Sequence, residues 1–127
     1  MSEPSPSDRV PHQGELAELQ AAVREFVAVR DWEQFHLPKN LLLALTGEVG
    51  ELAELFQWRT PEESEPAALD EATVQRVREE LADVLLYLIR LSDVLEVDLV
   101  EAAYDKLEAN AQRYPASEVR GSAVKRS

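Results

Sequence analysis

Cysteine is absent from the sequence, which excludes disulfides, thiolate metal sites and redox chemistry on sulfur. Basic residues are scarce: thirteen stand against twenty-five acidic ones, for a formal net charge of −12. Binding along a nucleic-acid backbone needs clustered Lys and Arg to displace counterions, so that class of partner is disfavoured. Long apolar runs are missing as well. Nothing reaches the roughly 18 residues a membrane-spanning helix needs, and residues 1–14, rich in Ser, Pro and Asp, lack the apolar stretch of a signal peptide. That opening reads as a disordered segment. A soluble, cytoplasmic protein is expected, and 127 residues leave room for one domain with one core.

Helical periodicity is present throughout, and no strand pattern is. Leu16, Leu19, Val23, Phe26 and Val27 fall at helical spacing and predict a first helix over about 15–31. Pro38 disfavours helix at Leu37 but suits a helix's first turn, so the second is expected over 38–58. Residues 59–69 (RTPEESEPAAL) carry two prolines and several acids and read as an exposed linker. Asp70 is a candidate N-cap for a third helix reaching to about 96. Asp98, with Glu101 at the reciprocal position, caps a fourth over 98–113, stopped before Pro115. The tail, 116–127, is locally basic through Arg120, Lys125 and Arg126, with Glu118 its one acid. It suits a fold over phosphates or over a neighbouring subunit's site, or a disordered end.

The second and third helices are apolar on most sides. Leu41, Leu42, Leu43, Leu45, Val49, Leu52, Leu55 and Phe56 surround one, and Leu81, Val84, Leu85, Leu86, Leu88, Ile89 and Leu91 surround the other. A helix of that kind is buried on most sides. The expected fold is therefore all-α, a four-helix bundle completed by association with further copies.

Inside these two helices lie paired acids: Glu48 and Glu51 on the second, Glu80 and Asp83 on the third. A spacing of three places each pair on one face, about a turn apart. Unpaired carboxylates taken out of water cost several kcal/mol each, roughly, so four facing one another must be protonated or neutralised. Neighbouring positions are mostly apolar, which leaves a hard divalent cation as the best neutraliser. Mg²⁺, with Mn²⁺ as a substitute, prefers oxygen ligands and shares them with substrate phosphates. An acidic protein can bind a triphosphate with such ions between the two sets of negative charge. Gly47 and Gly50, costly in mid-helix, suggest space for a close helix or for a metal with its waters. A di-iron bundle would want two Glu-x-x-His motifs. Glu33-x-x-His36 lies at a helix end, and His12 has Arg9 three residues before it. The alternative to a metal site is a stripe of surface or inter-subunit charges.

With both pairs in place, the sequence resembles the MazG-type all-α nucleoside triphosphate pyrophosphohydrolases, whose motif is Glu-x-x-Glu followed one helix later by Glu-x-x-Asp. Within them it is similar to the dCTP pyrophosphatase branch through Arg30-Asp31-Trp32-Glu33-Gln34-Phe35-His36 and 40–58 (NLLLALTGEVGELAELFQW). The likeness continues through 79–87 (EELADVLLY), Val97-Asp98-Leu99 and Gln112-Arg113-Tyr114-Pro115. The resemblance implies a homo-oligomer, a tetramer built as a dimer of dimers, that cleaves dCTP or a modified dCTP to the monophosphate and pyrophosphate with Mg²⁺, cleaning the nucleotide pool. It makes Glu48, Glu51, Glu80 and Asp83 the metal ligands and catalytic residues. It sets Trp32 and Trp58 around the base and Tyr87 against the deoxyribose. The family pattern has a histidine where this chain has Val23, so base preference stays open.

Beyond the acids, Tyr87 shares the stripe of Glu80 and Asp83, as a ligand contact or as a core tyrosine. Trp32 and Trp58 either pack or stack on a base. His36 either caps the next helix or approaches the ligand. Lys106, Asn110 and Arg113 form a polar face on the fourth helix, suited to triphosphate contacts or simply solvated. The expected chemistry is in-line attack of water on the α-phosphorus, with Glu51 as the orienting or deprotonating carboxylate. The competing functions are a pyrophosphatase of the same fold acting on dUTP, a broad set of nucleotides or a phosphoribosyl adenine nucleotide, and a non-catalytic helical interaction protein.

Overall fold

The computed structural model describes residues 14–125; of the segment 1–14 expected to be disordered only Gly14, the N-cap of the first helix, is described, and His12 and Arg126 lie outside these residues. Among the described residues the chain forms helices and turns only: α1 (Glu15–Val29), α2 (Pro38–Glu54), α3 (Glu71–Val94), α4 (Leu99–Arg113) and a short α5 (Ala116–Val119). The helix α5 is a single turn that carries no apolar period for a sequence reading to find.

The boundaries have local causes. α1 stops because Asp31 takes a left-handed conformation (φ 53°), which lets the Trp32 N–H donate back to the Val27 carbonyl at 3.1 Å. α2 opens with Pro38 in its first turn and no side-chain cap. It ends at Glu54 rather than running to Trp58: residues 55–58 continue as loose turns, with the Gln57 N–H on the Ala53 carbonyl. Asp70 caps α3 by accepting from the Thr73 N–H, and Asp98 caps α4 by accepting from the Glu101 N–H. α3 closes like α1, with Glu96 left-handed (φ 57°) and the Val97 N–H on the Ser92 carbonyl.

The segment between α2 and α3 is exposed, as expected, but it is ordered by its own side chains. Two 3₁₀ turns, Glu62–Ser64 and Pro66–Ala68, occupy it. The Thr60 N–H donates to the Glu63 carboxylate and the Glu63 N–H to the Thr60 hydroxyl, a reciprocal capping box. Arg59 adds bonds to the Leu55 and Glu63 carbonyls.

Packing is dominated by α2 against α3, with α1 laid on α3; α4 makes only sparse contact with the rest. His36, just before α2, meets Arg90 near the end of α3, whereas Glu48 meets Glu80 and Asp83 nearer its start. The two helices are therefore antiparallel. Among the described residues the buried apolar side chains are Val27, Leu41 and Ile89, one each from α1, α2 and α3, so the core sits where those three helices meet. α1 is also held by charge: Arg24 donates twice to Asp93 on α3, both bonds 2.6 Å.

A single protomer leaves apolar surface open on both central helices, the surface that the expected further copies would cover. α2 and α3 are not buried nearly all round: Leu43 is 60% exposed and Leu81 53%, with Leu42, Val49, Leu85, Leu86 and Leu88 also open. A methyl group added at Gly47 or Gly50 would meet nothing within 4 Å, so among the described residues no helix of the same protomer approaches there. Both follow from the sparse packing of α4, which leaves these faces uncovered.

Candidate metal and nucleotide site

Antiparallel pairing of α2 and α3 brings three of the four acids together. Glu48, Glu80 and Asp83 each offer a carboxylate oxygen, and these atoms lie within 4.8 Å of one another. All three side chains are half-buried. One oxygen each of Glu48 and Glu80 is closed to solvent and has no hydrogen-bond partner. Glu51 is exposed and stands outside this group of three, one turn further along α2.

Electrostatics agree with the geometry. The Glu48 carboxyl is pushed up from 4.5 to about 7, first by burial, then by the facing Glu80 carboxyl and by the charges of Glu51 and Asp83. The Arg24–Asp93 and Arg90–Asp93 ion pairs involve none of the four acids. Hard oxygen donors spaced to share one ion, with dry lone pairs unsatisfied, are the donor set a divalent cation requires. The residues fit such an ion.

The other candidates lie at differing distances from these acids along the helices. Tyr87 follows Asp83 by about one turn of α3 and is half-buried. Trp32 meets Phe26 edge-on, centroids 5.8 Å apart, while the Arg30 guanidinium lies 3.6 Å from the Phe26 ring centroid. Trp58 projects from the loosened end of α2 and is 88% exposed. His36 does not cap α2, whose N-terminus has no side-chain cap. Its Nδ1 accepts from Arg90 Nε at 3.0 Å instead. Burial and the Arg90 charge both hold its pKa below the ordinary histidine value. Lys106 and Arg113 are exposed on α4 and Asn110 is half-buried there; the protomer does not bring this helix onto the α2–α3 groove.

Three residues escaped the sequence reading. Arg90 donates to His36 and also approaches Asp93 at 3.5 Å, and Asp93 in turn binds Arg24. The signal existed: Arg90 falls seven residues after Asp83, on the same stripe of α3 as Glu80 and Tyr87.

An all-α fold with carboxylates converging from two antiparallel helices defines a class of acidic helical proteins whose central pair could hold a divalent cation. The comparisons narrow it: the model of the MazG-like family matches residues 44–125, and the chain belongs to that family. It is 52% identical over 110 residues to dCTP pyrophosphatase 1 of Mus musculus, an alignment covering 87% of this chain and 65% of that protein. The Homo sapiens protein of the same name is 50% identical over the same coverage. The chain thus spans 65% of the length of these curated relatives. Among solved structures it is similar to a pyrophosphatase from Archaeoglobus fulgidus, with TM-score 0.73 and 41% identity, covering 84% of this chain and 99% of that one.

Proposed function

We propose that the chain is a nucleoside triphosphate pyrophosphohydrolase that converts dCTP, or a modified dCTP, to dCMP and pyrophosphate with Mg²⁺. The observation that carries this reading is the convergence of Glu48, Glu80 and Asp83, two of them with dry, unsatisfied oxygens, in a chain about half identical to dCTP pyrophosphatases. Those three, joined by Glu51, would hold the metal. A divalent ion bound there neutralises charge on the triphosphate and lowers the pKa of water.

The chain's own groups supply the rest. Glu51, exposed beside the cluster, is the acceptor for the proton of the attacking water. The water oxygen bonds to the α-phosphorus as the bond to the bridging oxygen breaks, and pyrophosphate leaves. Tyr87, one turn beyond Asp83, lies where a sugar would follow the α-phosphate. Trp32, braced by Phe26 and Arg30, walls the base; Trp58, beyond the opposite end of the 17-residue α2, would join it from a neighbouring copy. Lys106, Asn110 and Arg113 lie on a helix that barely touches the groove, which suits them to phosphates bound between copies of the chain. The open apolar faces of α2 and α3 support a homo-oligomer, a tetramer of paired dimers, acting in the cytoplasm on free nucleotides.

The test is product identity. Purified protein is incubated with each triphosphate and Mg²⁺, and the products are weighed by mass spectrometry. Monophosphate plus pyrophosphate, with dCTP or its 5-modified forms preferred over dUTP, dTTP and purine nucleotides, is expected. Diphosphate plus orthophosphate contradicts the chemistry, and a flat profile over bases contradicts the substrate.

A further inference from the structure

We infer that Arg90, braced by Asp93, is a positioning residue that fixes His36 with its proton on Nε2, so that His36 presents a hydrogen-bond donor to the base of the nucleotide. This rests on the proposed nucleotide site and names what reads the base there.

The Arg90–His36 contact itself dictates the tautomer. Arginine has donors only, so a histidine nitrogen 3.0 Å from Arg90 Nε must be the acceptor, and Nδ1 carries no proton. A neutral imidazole then has its hydrogen on Nε2. The imidazolium form would turn an N–H toward a guanidinium, and the depressed His36 pKa agrees with its exclusion. Arg90 is in turn held: its side chain is 12% exposed and its NH1 lies 3.5 Å from Asp93, which Arg24 grips through two bonds. Three segments, α1, α3 and the turn before α2, are thus joined through one chain of polar contacts ending on the imidazole. His36 is only half-buried, so its Nε2 is not sealed by the protein.

Position makes this ring a reader of the base. Arg90 lies seven residues beyond Asp83 on α3, an axial rise of about 10 Å. A nucleotide with its phosphates on the carboxylates and its sugar beside Tyr87 extends its base to that end of the groove, where Trp32 also stands. A fixed N–H donor complements the N3 lone pair of cytosine. Uracil and thymine carry N3–H there and would oppose it donor to donor. Selection by matched donors and acceptors is stronger than selection by fit alone, because a mismatch leaves groups unpaired.

The experiment uses long-range ¹H–¹⁵N NMR of the full chain, whose two histidines are separated by a His12→Asn control. Wild type should show His36 Nδ1 unprotonated and Nε2 protonated, with the Nε2–H resonance moving on addition of α,β-imido-dCTP and Ca²⁺. Arg90→Met should mix the tautomers and raise KM for dCTP on the order of tenfold, the worth of about one hydrogen bond, with kcat near wild type. Its preference for dCTP over dUTP should fall by a similar factor, and Arg90→Lys, which keeps a donor, should recover part of both. A wild-type His36 protonated on Nδ1, a resonance indifferent to the analogue, or an Arg90→Met loss equal for dCTP and dUTP and confined to kcat would each overturn the inference. Should Arg90→Met fail to fold, the wild-type spectra and Arg90→Lys still decide. Pyrophosphate release with a silent His36 sinks this inference alone. A responsive His36 without pyrophosphate release sinks the hydrolysis alone.

Discussion

Replacing Glu48 by Gln should stabilise the metal-free protein while disabling it. Carboxylate oxygens within 4.8 Å of one another repel by about 3–4 kcal/mol per charged pair at an effective dielectric constant of roughly 20. Two facts reduce the relief available. The site is only half-buried, and a Glu48 pKa of about 7 leaves that group partly protonated at neutral pH. A gain of about 1–2 kcal/mol remains, equivalent to a rise in Tm of roughly 5 °C for a domain of this size. Binding of Mg²⁺ at a hundredfold excess over Kd stabilises the wild type by about 2.7 kcal/mol, and the variant should lose most of that. The order of melting should therefore invert: variant above wild type in EDTA, wild type above variant in Mg²⁺. Scanning fluorimetry in the two buffers reads it directly, and pyrophosphate release should fall by at least about a hundredfold. A variant that melts below wild type in EDTA and still gains as much from Mg²⁺ would refute the carboxylate cluster as a metal site.

Other perturbations separate the remaining parts of the account. Because the Glu48 pKa is raised on folding, the folded state keeps a proton that the unfolded chain releases between pH 4.5 and about 7. Its contribution to metal-free stability is thus largest below that window and declines as pH rises through it; Tm in EDTA should drop from pH 5 to 7, and the slope should vanish in Glu48→Gln. Leu85→Glu places a charge on an open apolar face of α3 and should shift the proposed homo-oligomer to smaller species by light scattering, with far-UV circular dichroism retained. Asp93→Asn weakens a charged bidentate contact between α1 and α3 and should cost about 1–3 kcal/mol in urea unfolding. Thr60→Ala removes half of the capping box and should cost about 1 kcal/mol, with no change in Mg²⁺ response.

Legibility followed the range of the interactions. Helix caps at Asp70 and Asp98 and the proline start of α2 are set by neighbours three or four residues away, and short motifs reveal them. The pairing of Glu48 with Glu80 and Asp83 could be anticipated because each pair occupies one face and the helices bearing them are apolar. The Thr60–Glu63 box was equally local, but it was obscured by prolines that mark the segment as a linker. α2 ends at Glu54, short of the expected 58: the apolar pattern runs on through Leu55 and Phe56 after regular hydrogen bonding has ceased. The Arg24–Asp93–Arg90–His36 chain is of another kind. It joins residues up to 69 positions apart, and only the crossing of α1 over α3 brings them together. Periodicity sets Arg90 on the stripe of Asp83 and Tyr87 but carries no sign of its partner, and the residue goes unread in the sequence.

The antiparallel α2–α3 pair also limits how the chain can change its length. Leu41, dry in the core, is separated from Glu48 by roughly two turns, and Ile89 stands in the same relation to Asp83. A single residue inserted inside either interval would swing the carboxylate by about 100° around its axis and away from the others. Duplicating a heptad would restore the direction but displace the group by about 10 Å. Insertions and deletions can therefore accumulate between Leu55 and Asp70, or beyond the helix ends, while the two stretches joining anchor to ligand must keep their residue count.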